Sequence, residues 1–252
     1  PGSWSPLESG CCETSVVEPE HEPRTEMREV RTAEFYNRVV PPRFFAPEAQ
    51  TSGDLVTLPD EEAQHLTRVL RLGAGAAVRV FNGIGDEFES VVEAATKDVV
   101  QVRVGNPHDP VPESRFRVSL AQAVLKGDKM DDVVRDAVTK GATAIRPVLT
   151  ARTETSAAVL EKSHRRERWE RVAISSAKQC GRAVIPPILA PVTLDVLIQT
   201  LLDTWLDGPA IMLVEPGVTK SAVPFSEHEV ETPKAATAVV GPEGGWAPEE
   251  IE

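Results

Sequence analysis

Two short glycine-bearing stretches combine the side chains and the backbone freedom that ligand chemistry needs. Gly241-Pro242-Glu243-Gly244-Gly245-Trp246 follows the apolar run 236–240, and Val214-Glu215-Pro216-Gly217 closes the apolar run 211–214. Glycines placed after a strand let backbone N–H and C=O groups meet a ligand with no side chain between them. The first is not a phosphate loop, since no Gly-Lys-Ser/Thr follows, and it lacks the G-x-G-x-x-G spacing of a dinucleotide site. A third feature is charge. Residues 111–192 hold 15 basic against 9 acidic side chains, while the whole chain of 252 residues holds 27 against 39, a net charge of −12. One positive stretch in an acidic protein suits phosphate binding, because each neutralised phosphate releases counterions. The same charges equally describe a helix with a solvated basic face.

Other chemistries are poorly served. The five histidines (His21, His65, His108, His164 and His228) never come at metal-ligand spacing, so no metal is expected. Cys11, Cys12 and Cys180 make neither a disulfide framework nor a zinc site, and no G-x-S-x-G elbow is present. No window approaches the ~18 apolar residues of a membrane span, and no basic-then-apolar leader opens the chain. A cytoplasmic protein with no membrane partner is expected.

The elements that position the two loops follow from periodicity. Residues 1–41, rich in Pro, Glu, Ser and Thr, read as a disordered extension. Residues 42–110 read as a small β domain: a strand over 55–58, a helix over 61–71 with Asp60 as N-cap and Ala63, Leu66, Val69 and Leu70 as its apolar stripe, then strands around Val78–Phe81, Phe88–Val92 and Val100–Val104. A proline-rich joint (Pro107, Pro110, Pro112) leads to residues 111–252, where the period changes. Strands over 116–124, 144–148, 211–214 and 236–240 alternate with helices over 130–140, 160–180 and 195–204. That order predicts an α/β domain with a parallel sheet, whose ligands sit beyond the carboxyl ends of the strands.

At Gly241–Trp246, with Glu249-Glu250-Ile251 after it, the chain resembles the GPEGG-(W/F/L)-x-x-x-E-I signature of the bacterial 16S rRNA uridine N3-methyltransferases, a family of the SPOUT class. Further pieces resemble that family in order: Arg43-Phe44-Phe45, His65-Leu66 with Arg68-Val69-Leu70-Arg71, Phe81-Asn82-Gly83, Lys126-Gly127-Asp128-Lys129-Met130-Asp131, Pro147 with Thr150 and Arg152, and Gln179-Cys180-Gly181-Arg182 with Ile185-Pro186. The resemblance implies a PUA-like β-barrel RNA-binding domain followed by a SPOUT-type trefoil-knot methyltransferase domain. It also implies S-adenosylmethionine as cofactor, a homodimer, and methyl transfer to N3 of a uridine in 16S rRNA of the small ribosomal subunit.

On that resemblance Val214, Glu215, Pro216, Gly241, Pro242, Gly244, Gly245 and Trp246 hold the cofactor, chiefly through backbone. Glu243 is the base or orienting acceptor, against the plainer reading that it ties down its own loop, and Arg182 clamps a phosphate or the uracil oxygen. RNA contact falls to Arg43, His65, Arg68, Arg71, Lys126, Lys129, Arg152, Arg165, Arg166 and Arg168, with Arg171 and Lys178 on the same basic helix. The family's L-G-x-(R/N)-(I/V)-L-R-x-E-T-A segment has no counterpart before Glu252, so a truncated chain with an incomplete knot is expected. The alternatives are an inactive fragment or a non-catalytic RNA-binding protein, and a methyltransferase of the same class acting on tRNA.

Overall fold

A computed structural model describes residues 40–97, 99–203, 208–216 and 233–251. All of the extension expected over 1–41 except residues 40 and 41, together with Gly217, lies outside the described residues.

Two five-stranded sheets organise the chain. The first comprises β1 (Arg43–Phe45), β2 (Leu55–Thr57), β3 (Ala77–Phe81), β4 (Glu87–Ala95) and β5 (Val100–His108), in the order β1-β3-β4-β5-β2. Every pairing is antiparallel except β1 with β3. Strict alternation along β5 turns Val100, Val102 and Val104 into a core with Phe44, Leu66, Val78 and Val80. The second sheet comprises β6 (Arg117–Ala123), β7 (Ala144–Leu149), β8 (Val192–Thr193), β9 (Ala210–Leu213) and β10 (Ala235–Val240), all parallel, in the order β8-β7-β6-β10-β9. Its crossovers are α2 (Lys129–Thr139), α3 (Ala157–Lys162), α4 (Arg165–Cys180) and α5 (Leu194–Asp203).

The two halves share packing and hydrogen bonds. Phe81, the last residue of β3, belongs to the core of the second sheet, among Met130, Ile145, Trp169 and Ala173. Gly83, at φ +83°, turns the chain there, and a Cβ on it would lie 2.9 Å from the Phe45 ring, so only glycine fits. Its carbonyl accepts from the Ile185 N–H at 2.9 Å.

Two expected helices differ in form. Over 61–71 the helical turn α1 (Asp60–Gln64) passes into a π-turn, His65–Val69, in which the Leu70 N–H reaches back five residues to the His65 carbonyl. The extra residue per turn rotates Val69 and Leu70 off the stripe, leaving them 68% and 39% exposed, while Ala63 and Leu66 stay buried. Asp60 is no N-cap either; Pro59 holds that place and no side chain caps the turn. The helix expected over 160–180 is broken. Ser156 caps α3 by accepting from the Val159 N–H, and His164, at φ +50°, separates α3 from α4.

Candidate active site

Because β6, β7, β9 and β10 run parallel, the loops that follow them open on one edge of the sheet. The loop after β10 is fixed by its neighbours. Gln122 is a buried polar residue near the end of β6, and its Nε2 donates to the Gly241 carbonyl at 3.1 Å. Trp246 folds back over Gly241, where a Cβ would lie 2.9 Å from the indole, and its Nε1 donates to the Leu213 carbonyl at the end of β9. The turn between closes through Gly245 N–H to the Pro242 carbonyl at 2.9 Å, with Gly245 at φ +70°. Arg152, in the loop after β7, donates from Nη1 to the Gly244 carbonyl at 2.6 Å. Glu250 accepts from the N–H groups of Ala151 and Ala247 at 2.7 and 2.9 Å, joining the loop after β7 to the turn after β10.

Two cavities flank this loop. The first, about 340 Å³, has apolar walls of Leu213, Val214, Val240 and Trp246, with Glu215 at its mouth. The second, about 470 Å³, is lined by Lys126, Arg152, Arg165, Glu154, Thr155 and Glu243. Both volumes lie in the range of ligand pockets. The first suits an adenosine-bearing sulfonium: apolar walls receive a base and a thioether carbon chain, backbone groups of the two loops receive polar edges, and the Glu215 carboxylate accepts hydroxyl or ammonium hydrogens.

Glu243 lies between the cavities and the loop after β6. Its Oε1 accepts from the Lys126 N–H at 3.3 Å and from Lys129 Nζ at 3.1 Å. Its carboxyl is held below the usual carboxylate range, first by its own backbone N–H and then by Lys129 and the Lys126 N–H, against the opposing effect of desolvation. It is an ionised acceptor that pins its loop.

The expected site residues separate into groups. Val214, Glu215, Pro216, Gly241, Pro242, Gly245 and Trp246 come together around the first cavity, and Lys126, Arg152, Arg165, Glu243 and Gly244 around the second. Arg182 does not join them. It is 6% exposed, donates from Nη1 to the Val138 and Ala142 carbonyls at 2.8 and 3.1 Å, and pairs with Glu113. Its guanidinium is a staple at the end of α2, with four of its five N–H groups engaged there and not at the loops.

Arg43 is likewise structural. It forms a two-pronged pair with Glu87 at 3.0 and 2.8 Å, donates to the Ala177, Lys178 and Arg182 carbonyls, and lies 4.6 Å from the Phe81 ring centroid. Lys178 is half-buried against Glu62. Along α4, Arg166 pairs with Glu170, Arg168 with Asp128 and Asp131, and Arg171 with Glu61, so much of the basic face is neutralised locally. His65 packs edge-on against Phe44, while Arg68 and Arg71 remain exposed on the first sheet's side. Gln122, Glu154 and Thr155 escaped the sequence reading, and Glu250 stood there in the signature without its role as acceptor for the loop after β7. Of the first three only Gln122 left a signal there, as a lone amide in an otherwise small and apolar strand end.

Comparison with known proteins bears on the same loops. Residues 112–252 match the family model described as an RNA methyltransferase domain, and residues 58–105 match an RNA methyltransferase PUA domain. A protein of Synechocystis sp. named ribosomal RNA small subunit methyltransferase E is 30% identical over 213 residues, which cover 82% of this chain and 65% of that protein. A protein of the same name from Mycobacterium tuberculosis is 28% identical over 210 residues, 82% of this chain and 78% of that protein. The chain therefore spans just under two thirds of the first relative's length.

Among solved structures, a Legionella pneumophila methyltransferase in complex with the cofactor SAM is 29% identical with a TM-score of 0.74, over 84% of each chain. The ribosomal RNA small subunit methyltransferase E of Neisseria gonorrhoeae, bound to S-adenosyl methionine, is 28% identical with a TM-score of 0.72 and the same coverage. The expected fold, a PUA-like domain and then a SPOUT-type α/β methyltransferase domain, holds in this chain. With more than half its length matching that domain, the chain belongs to the RNA methyltransferase family.

Proposed function

We propose that this chain methylates N3 of a uridine in 16S rRNA of the small ribosomal subunit, with S-adenosylmethionine in the cavity beside Trp246 and the uridine in the cavity beside Arg152. The observation that carries the reading is that one loop, 241–246, walls both cavities, so a methyl donor on one side and a nucleotide on the other would meet across it. The reading further takes residues 42–110 as an accessory RNA-binding domain, residues 111–252 as the methyltransferase domain, and the working form as a cytoplasmic homodimer. Among the described residues no helix is long and apolar enough to cross a membrane.

When bound, the cofactor supplies an electrophilic methyl on sulfur. The chain's part is to hold and orient. Uridine N3 carries a weakly acidic proton that must leave as the N–CH₃ bond forms. Alignment with the methyl lowers the barrier more than any strong base would, because it removes the entropy of bringing two reactants together. The Arg152 guanidinium stabilises the negative charge that spreads to the uracil oxygens as N3 loses its proton. Glu243, ionised and doubly engaged with the loop after β6, positions that loop and orients the base edge as an acceptor.

Mass spectrometry of 16S rRNA from cells lacking the gene, with and without complementation, tests the reading. Loss and return of one N3-methyluridine is expected. Binding of S-adenosylmethionine with no rRNA change would redirect the reading to tRNA, and binding of RNA without cofactor would make the chain a non-catalytic RNA-binding protein.

A further inference from the structure

The cavity beside Arg152 contains two features that the methyl-transfer chemistry leaves unused. Thr155 Oγ1 is buried and has no hydrogen-bond partner among the described residues, an arrangement that costs free energy until something pairs with it. Arg165, the first residue of α4, has no carboxylate partner among the described residues, whereas Arg166, Arg168 and Arg171 on the same helix each have one. The third cation, Lys126, is paired with Glu154, and both side chains are more than half exposed. Exposed ion pairs of that kind are weak and exchange readily. Among the described residues the cavity thus holds one free guanidinium and one ammonium on a displaceable internal anion, with one orphan hydroxyl buried in its wall.

We propose that this cavity seats the phosphate of the target nucleotide, that Arg165, Lys126 and Thr155 Oγ1 are its donors, and that Glu154 is the internal counter-ion the phosphate displaces. A phosphodiester in RNA carries one negative charge, as a carboxylate does, but its tetrahedral oxygens can accept from the Lys126 ammonium and from the guanidinium's parallel N–H groups together. Glu154 keeps Lys126 paired in the free protein, so an anion that engages Lys126 alone gains little by displacing it. The inference rests on the methyltransferase reading only in assigning the phosphate to the nucleotide being modified.

The test titrates uridine 5′-monophosphate, uridine and inorganic phosphate into the 252-residue chain at low salt by calorimetry. The monophosphate should bind more tightly than either part. Arg165→Gln should weaken it about tenfold, the scale of one partly exposed charge-assisted hydrogen bond, with uridine binding unchanged. Glu154→Gln should tighten it. Thr155→Val should weaken it while leaving the melting temperature unchanged or higher, since an unpaired buried hydroxyl is removed; a purely structural threonine would lower that temperature.

Equal binding of monophosphate and uridine would overturn the seat, as would indifference to both Arg165→Gln and Glu154→Gln; equal binding of monophosphate and inorganic phosphate would overturn its assignment to a nucleotide. Unchanged affinity in Thr155→Val would remove the hydroxyl from it. A parallel titration of S-adenosylmethionine, followed by Trp246 fluorescence, reads the other cavity alone. Its failure with monophosphate binding intact sinks the methyltransferase reading and spares the phosphate seat. The reverse result sinks only the seat.

Discussion

Trp246 Nε1 donates to the Leu213 carbonyl at 2.8 Å, so one side chain ties the loop after β10 to the end of β9 and forms a wall of the cavity between them. Trp246→Phe keeps most of the apolar wall and removes the donor. A neutral hydrogen bond contributes about 1 kcal/mol, so S-adenosylmethionine should bind roughly fivefold more weakly, as calorimetry would read. An unchanged affinity would mean that the loop holds its shape without that bond.

Gly241→Ala tests the same contact from the backbone side. The added Cβ would lie 2.9 Å from the indole, so the ring must move. A cost of about 1–3 kcal/mol is expected for such overpacking, seen as a lower melting temperature together with weaker cofactor binding. A variant with wild-type stability and affinity would show that Trp246 has room to shift.

Arg43 should matter to stability and not to RNA charge contacts. Arg43→Met leaves Glu87, with a side chain 3% exposed, without its two-pronged partner. Breaking a buried pair from one side costs about 3–5 kcal/mol, and Glu87→Gln in the same chain should recover part of it. The salt dependence of RNA affinity should be the same in the variant as in the parent, measured at a temperature where both are folded. A flatter slope would return Arg43 to the phosphate contacts.

Glu243 has a carboxyl held below its ordinary value in the folded chain, so its contribution is present above the unfolded-state value and is lost as pH falls through the folded one. Cofactor affinity should therefore be flat between about pH 6 and 8 and should decline only in acid, below the ordinary carboxylate range. Glu243→Gln should abolish the acid decline and loosen the loop at Lys126–Lys129. A fall in affinity centred near neutral pH would point to a different group.

Arg168 and Arg165 offer an internal contrast on one helix. Arg168 is occupied by Asp128 and Asp131 at 2.9 and 2.6 Å, and Arg165 by no carboxylate among the described residues. Replacing Arg165 by Ala should reduce the salt slope of RNA binding by about 0.7 of a log unit per decade of salt, and replacing Arg168 should change it far less. Equal effects would show that RNA pulls Arg168 away from its acids.

Much of the fold was legible because burial imposes a period. Alternation at Val100, Val102 and Val104, and the helical spacing of Met130, Val133, Val134, Ala137 and Val138, map directly onto β5 and α2. The π-turn at His65–Val69 was not, since the spacing of Ala63, Leu66, Val69 and Leu70 fits an ordinary helix and says nothing of an extra residue in the turn. The break at Ser163–His164 has no Pro or Gly to announce it. The two loops that wall the first cavity were visible as glycine and proline after apolar runs. The partners of the arginines were hidden for a different reason: the type of a cation is local, but its partner is not. Glu87 lies 44 residues from Arg43, Glu113 69 from Arg182 and Glu62 116 from Lys178, and only the fold brings each pair together.

The guanidinium of Arg43 reaches the carbonyls of Ala177 and Lys178, in the last turn of α4, so a strand of the first sheet serves as the terminal cap of a helix in the second. Phe81, in the same sheet, completes the core against which that helix packs. Neither half can then reach its lowest free energy alone. Melting should proceed as a single cooperative transition by every optical probe. The refolding nucleus must close a loop of more than 130 residues before α4 is fully stable, which places this chain among the slower folders of its size.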